Sequence, residues 1–293
     1  MKRVGEPALA PKAHGGAAME DSVRQVESVG APRVRRAVVI RRLRIAEIAR
    51  ALAVGWNDFL TAPQYGLAVG GLHAAVGWVT IFLVRLSGLH SFAYPLLTGV
   101  ALVTPFSAAA LYEVSRRLEK GERLSWPGVI RSVKASGGRD LGWMCLVSLF
   151  AFIIWVDFAT FLYLMFYGLQ TPDLMAFVRQ ALTTSKGLLF LLAGNLFGGV
   201  IAFAIFSITV VSYPLLLDRD VDFATAMISS VKAVKASPAP MLAWAAVIAL
   251  LLALGLLTAL LGLLVVLPLL GHATWHVYRA VVEPEPEAAS AAV

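Results

Sequence analysis

The 293-residue chain has one cysteine, Cys145, and it falls inside an apolar run. An intrachain disulfide and a multi-cysteine metal site are both excluded. Charge is scarce as well: Asp, Glu, Lys and Arg make up 15% of the residues against 59% apolar ones, and the mean hydropathy is +0.77. That balance excludes an ordinary soluble globular domain. No Gly-rich phosphate loop, nucleophile elbow or HExxH string occurs, so the sequence signals of the common nucleotide-binding and hydrolytic sites are missing. Residues 1–31 hold no apolar core of the kind a signal peptide needs. The stretch 1–38 is expected to be a disordered basic tail and 281–293 a disordered acidic one.

What the chain has in abundance is long apolar runs. About 20 such residues cross a bilayer as a helix, and 65–86, 92–114, 141–169 and 188–217 reach that length. The run 241–278 exceeds one span, and Gly255, Thr258 and Gly262 offer a turn, so it divides into 241–258 and 260–278. Basic residues give an independent check. Of the 25, eleven lie in the first 64 residues, seven between 115 and 140, three between 218 and 240, and one at the carboxyl end. The opposite side receives only Arg85, Arg179 and Lys186. The positive-inside rule then predicts cytoplasmic termini and an even number of spans. The expected fold is all-α: one integral membrane domain over 39–280, with six transmembrane helices arranged as three hairpins and amphipathic interfacial helices between them.

A threefold internal repeat is suggested by two offsets. IRSVKAS at Ile130 and ISSVKAV at Ile228 lie 98 residues apart, and an offset of 163 aligns Gly99, Pro105, Tyr112, Glu113 and Arg116 with Gly262, Pro268, Trp275, His276 and Arg279. Each unit would be a surface helix followed by a hairpin, with Pro63 and Pro238 marking entry to the first and third hairpins. In the first surface helix, Ile45, Ile48, Ala49, Leu52, Trp56, Phe59 and Leu60 follow helical spacing, and Arg41, Arg42, Arg44 and Arg50 crowd the other side. Such a helix is expected in the headgroup plane of an anionic leaflet, its arginines on lipid phosphates. No nucleic-acid-binding fold surrounds this basic run, so nucleic acid is not an expected partner.

Three apolar runs each carry a proline and then meet charge: Pro105 before LYEVSRRLEKGE, Pro214 before LLLDRDVD and Pro268 before GHATWHVYR. Proline in a membrane helix frees a carbonyl one turn back and bends the axis. Two readings stay open, three kinked helices converging on a cytoplasm-facing cavity or kinks that only shape the packing. The charged ends form a candidate cytoplasmic polar cluster: Glu113, Arg116, Arg117, Asp218, Arg219, Asp220, Asp222, His272, His276 and Arg279. His272 and His276 share a helix face at the spacing two imidazoles need to share a metal or a haem edge. Hydrogen bonds to neighbouring carboxylates are the alternative. Asp218, Arg219 and Asp220 suit either a gate or a structural network that caps the next helix and pairs with Arg116, Arg117 or Arg279. Asp157 lies in the third run beside Phe158, Phe161, Tyr163, Phe166 and Tyr167, an aromatic group that places it near the outer interface. Gly66 with Gly70, and Gly194 with Gly198, allow close helix approach, and Asn195 sits between the latter pair.

ALAVGWNDFLTAP at 51–63, LYEVSRRLEKGE at 111–122, VSYPLLLDRDVDFATAM at 211–227 and LPLLGHATWHVYR at 267–279 together resemble an uncharacterised bacterial integral membrane protein family of unknown function. The resemblance spans about 45–279 and implies a multi-pass bacterial inner-membrane protein with no established activity. Members are sometimes labelled cytochrome c oxidase subunit I. A catalytic haem-copper subunit needs about twice as many spans and about six histidine ligands, whereas this chain has five histidines, with His14 in the tail and His90 in an outer loop. It is therefore not that subunit. The expected function is non-enzymatic, without catalytic residues or cofactor: a scaffold engaging anionic lipid headgroups or a membrane-protein partner. The alternatives are a small transporter or channel whose vestibule is lined by Glu113, Asp218, Asp220, His272 and His276, and a respiratory accessory binding haem or metal.

Overall fold

The computed structural model describes residues 38–88, 95–97, 104, 107–170, 172 and 174–284, without the side chains of 136–139 and 174. Pro105, Gly99, His14, His90, residues 1–37 and 285–293 of the expected tails, and 92–94, 98–103 and 105–106 of the expected span 92–114 lie outside the described residues. The named elements are all helices: α1 Ile45–Thr61, α2 Pro63–Ser87, α3 Ala109–Glu119, α4 Trp126–Tyr167, α5 Leu174–Thr183, α6 Ser185–Thr209, α7 Ser212–Asp218, α8 Phe223–Ala236, α9 Pro238–Leu257 and α10 Leu263–Val281. Among the described residues, four helical stretches are long and apolar enough to cross a membrane: Pro63–Ser87, Asp140–Tyr167, Ser185–Asp218 and Pro238–Leu257. The sixth expected span, α10, does not meet that measure, because its second half carries His272, His276 and Arg279.

Helix boundaries follow local chemistry. Glu47 reaches back to accept the Arg44 amide at 2.7 Å and so closes the start of α1. Ser125, Thr184 and Asp222 cap α4, α6 and α8 by accepting the amides of Gly128, Gly187 and Thr225. Two bends are near copies: Ala62 has φ −136°, ψ 58° and Ser237 has φ −143°, ψ 62°, and each is followed by proline at the first helical position. Surface helix, bend and proline-led span thus recur at α1–α2 and α8–α9. The corresponding middle segment, IRSVKAS, lacks the proline and runs unbroken into the 42-residue α4. The run 241–278 does divide in two. Thr258 Oγ1 donates to Gly255 O at 2.9 Å and accepts Gly262 N at 2.8 Å, while Ala259 and Leu260 take left-handed φ values of 52° and 68°.

Pro214 lies in the first turn of α7, where a helix leaves its amides unpaired in any case. The interruption therefore falls at Val210–Val211, before the proline, and Ser230 Oγ accepts the Val211 amide at 3.1 Å. Pro268 is inside α10 and removes one helical donor there. Around it the packing is close. A Cβ on Gly70 of α2 would meet Leu263 O at 2.7 Å, and one on Gly55 of α1 would meet the Ala273 backbone nitrogen at 2.5 Å. Only hydrogen fits at either point, so α1 and α2 both press their small-residue faces onto α10.

The apolar set of α1 splits between two faces. Ile48, Ala51, Gly55, Asp58 and Phe59 are buried against the bundle, while Ile45, Ala49, Trp56 and Leu60 are exposed beside Arg50, Asn57 and Thr61. The reason is period: residues three and four apart share a face, so 48, 51, 55, 58 and 59 group together and 45, 49, 56 and 60 turn away. Beneath α1, the largest buried side chains are Trp244, Trp275, Tyr213 and Tyr278, which join α7, α9 and α10 in one core.

Gly55→Val forces this contact apart and is expected to cost about 1–3 kcal/mol of stability. Thermal unfolding in detergent, with Ala53→Val at an exposed site of the same helix as reference, measures it.

Candidate functional site

The site is built where α10 meets α1, α3 and α7. Asp58 sits on the bundle face of α1 and is 7% exposed. Its Oδ2 accepts two hydrogen bonds, from Ser115 Oγ of α3 at 2.7 Å and from His276 Nε2 of α10 at 2.8 Å. Ser115 Oγ is also 2.8 Å from His272 Nδ1. A hydroxyl has one proton, and here it goes to the carboxylate, so the Ser115 oxygen accepts the proton on His272 Nδ1. The chain of bonds therefore runs from His272 through Ser115 to Asp58, with His276 feeding the same carboxylate oxygen. His272 is fully buried, and its Nε2 has no hydrogen-bond partner among the described residues.

Two further knots flank this one. Glu113, fully buried, accepts from Arg116 Nε at 2.7 Å and Nη2 at 3.0 Å and from Arg117 Nε at 2.6 Å. Arg116 also donates to Ser132 Oγ and Arg117 to Gly128 O, so the pair ties α3 to the start of α4. On the other side, Glu119 accepts from Trp275 Nε1 at 3.1 Å and pairs with Arg279 Nη2 at 3.0 Å. Asp218 of α7 accepts Tyr278 Oη at 2.6 Å and lies 3.6 Å from Arg279 Nη1. Arg279 thereby bridges α3 and α7.

The residues picked out by sequence fall as follows. Glu113, Arg116 and Arg117 form one knot, Asp218 and Arg279 meet in another, and His272 and His276 are joined through Ser115 and Asp58. Arg219 turns the other way and donates to Glu283 O. Asp222 is occupied as the cap of α8, and Asp220 is exposed next to it. Arg41 is drawn into the termini: its amide donates to Val281 O at 2.7 Å and its guanidinium to Arg279 O at 3.3 Å. Arg44 pairs with Glu47 at 3.6 Å and, like Arg42 and Arg50, is exposed. Among the described residues, no group of three or more His, Cys, Asp or Glu side chains is placed to hold a metal ion.

Asp58, Ser115 and Glu119 escaped the sequence reading. Asp58 carried a signal, since a wheel centred on Ala51 and Gly55 puts it among small buried residues, where a carboxylate requires donors. Ser115 and Glu119 carried none, because a serine or glutamate in a basic surface helix is commonplace.

Residues 93–218 match the family model DUF2189, described as a predicted integral membrane protein. The likeness is to an uncharacterised membrane domain family, and the matched stretch holds Glu113, Ser115, Glu119 and Asp218 but not Asp58, His272 or His276. No curated protein matches the chain, and no solved structure does.

Asp58→Ala leaves buried Ser115 and half-buried His276 without their acceptor, and a loss of about 3 kcal/mol is expected. Arg50→Ala, at an exposed position of the same helix, should change stability by less than about 0.5 kcal/mol. Chemical unfolding in micelles compares the two.

Proposed function

We propose that this integral membrane protein works without chemistry of its own, by holding a basic interfacial helix rigidly against the bilayer and gathering anionic lipid headgroups around it. One observation carries the reading: α1 buries one face in the bundle and exposes a second apolar stripe, with Ile45 63%, Trp56 42% and Leu60 58% exposed beside exposed Arg42, Arg44 and Arg50. An apolar stripe next to arginines suits the boundary between acyl chains and phosphates. A free-standing amphipathic helix would slide and rotate there, and the contacts of Gly55 and Asp58 argue against both motions.

The topology is read in the same spirit. Ile40 and Val282 pair as an antiparallel bridge, and Glu283 N donates to Val39 O at 3.1 Å. Two chain segments joined in this way leave from the same side, which supports an even number of crossings between them. Six spans with both termini in the cytoplasm of a bacterial cell satisfy that pairing and the bias of basic residues. The lipid-phosphate contacts then fall to Arg42, Arg44 and Arg50, since Arg41 serves the bridge.

A transport vestibule lined by Glu113, Asp218, Asp220, His272 and His276 has less support, because Glu113 and His272 are fully buried and the Glu113 and Asp218 carboxylates are occupied by arginine and tyrosine. A haem- or metal-binding accessory role meets a similar obstacle. His276 Nε2 is taken by Asp58, which leaves the buried His272 Nε2 as an open nitrogen where a metal needs several ligands together.

The triple variant Arg42→Gln, Arg44→Gln, Arg50→Gln tests the lipid reading. Lipid retained by protein extracted from mixed anionic and zwitterionic nanodiscs is counted by native mass spectrometry, and at least about a threefold loss of anionic lipid is expected, in keeping with about 1 kcal/mol per basic residue at a charged surface. Equal retention by the variant overturns it.

A further inference from the structure

The open position in the site is His272 Nε2. Ser115 has spent its proton on Asp58, so a neutral His272 carries its own proton on Nδ1 and leaves Nε2 as a bare lone pair, fully buried and with no donor facing it among the described residues. Asp58 Oδ2, Ser115 Oγ, His272 Nδ1 and His276 Nε2 are each bonded across a helix boundary. We propose that the cluster of Asp58, Ser115, His272 and His276 is a proton-binding site, and that a proton on His272 Nε2 loosens α1 from α10. The inference rests on the reading of α1 as the lipid-gathering helix and supplies that helix with a control.

The step is simple in its balance. A hydronium ion gives up its proton: one O–H bond breaks, one N–H bond forms at Nε2, water is released and the imidazole becomes an imidazolium. Both of its N–H groups are then donors, and the Nε2–H has no acceptor in the packed state. Water would serve, but α1 and α10 touch one residue away: a Cβ on Gly55 would already collide with the backbone of Ala273. Hydrating the new donor therefore requires the two helices to part, and α1 is the one at the membrane surface.

Burial away from water opposes the new charge most, and the charged surroundings adjust that cost. From α1 the cluster receives Asp58, which attracts it, and from α10 it receives His276, which opposes it when protonated. On α3 the carboxylates of Glu113 and Glu119 are neutralised by Arg116, Arg117 and Arg279. On α2, Tyr65 is buried against Trp126 and His73 bonds Val69 O and Ser107 Oγ. The cluster thus holds a single unbalanced carboxylate and two imidazoles, and of these His272 alone has an unbonded ring nitrogen that is buried.

Hydrogen exchange in lipid-free micelles tests the proposal apart from lipid binding. Protection of α1 amides, corrected for intrinsic rates and referred to α8, is compared at about pH 7.5 and about pH 5.5, on either side of the ordinary histidine range. Wild type and His276→Gln, which keeps a donor to Asp58, should both lose protection in α1 at least about tenfold at the lower pH. His272→Asn, which keeps the donor to Ser115 and lacks Nε2, should show no pH response. A response absent from wild type, retained in His272→Asn or abolished in His276→Gln overturns the proposal. Should His272→Asn not fold, wild type and His276→Gln decide the matter between them. If exchange responds as expected while the arginine variant keeps its lipid, the lipid reading fails and the proton site stands.

Discussion

The structure depends on one buried carboxylate. Asp58 lies on the face of α1 that also carries Ala51 and Gly55, and it is sustained by a hydroxyl from α3 and an imidazole from α10. A carboxylate taken out of water is tolerated only where donors replace the solvent it lost. Here the two donors come from different helices, so satisfying Asp58 fixes three elements relative to one another. Glycine at position 55 adds the steric half of the same constraint, since the backbones must come close enough for the bonds to form.

From that junction the rest of the polar architecture follows. Residues 111–119, 212–218 and 272–279 are distant in sequence, yet Glu119, Asp218 and Arg279 lie within ion-pair reach of one another through Arg279. The consequence is a layer of paired charges, buried at Glu113 and partly exposed at Glu119 and Arg279. Charges satisfied within the layer hold the fold, and those left exposed on α1 are free to meet phosphate. Exposed surface salt bridges add little stability, so the division between buried pairs and exposed arginines is also a division between structure and recognition.

Much of this is legible in the chain. Apolar length marks the helices, Pro63 and Pro238 mark the first residues of α2 and α9, and Gly255, Thr258 and Gly262 mark the turn before α10. Composition alone misjudges other places. At Pro214 the interruption falls one turn back, at Val210–Val211, but nothing local shows that the Val211 amide turns to Ser230 on α8, a partner nineteen residues away. Ile48 and Phe59 read as membrane-facing with Trp56, since a hydrophobic period does not say whether protein or lipid covers it. Asp58 and Ser115 are ordinary residues until α10 is set beside them; their role is a property of the tertiary contact, and no local pattern encodes it. The meeting of His272 with His276 illustrates the converse: their spacing is plain in sequence, and what joins them is not.

The central claim is that Asp58 and His276 act as one unit across the boundary between α1 and α10. A double-mutant cycle on Asp58→Ala and His276→Ala, read by reversible unfolding in micelles, tests it most directly. A coupling energy of at least about 1 kcal/mol is expected, with the double variant little worse than the more damaging single. Effects that add within about 0.3–0.5 kcal/mol would contradict the account, since independent residues behave in that way.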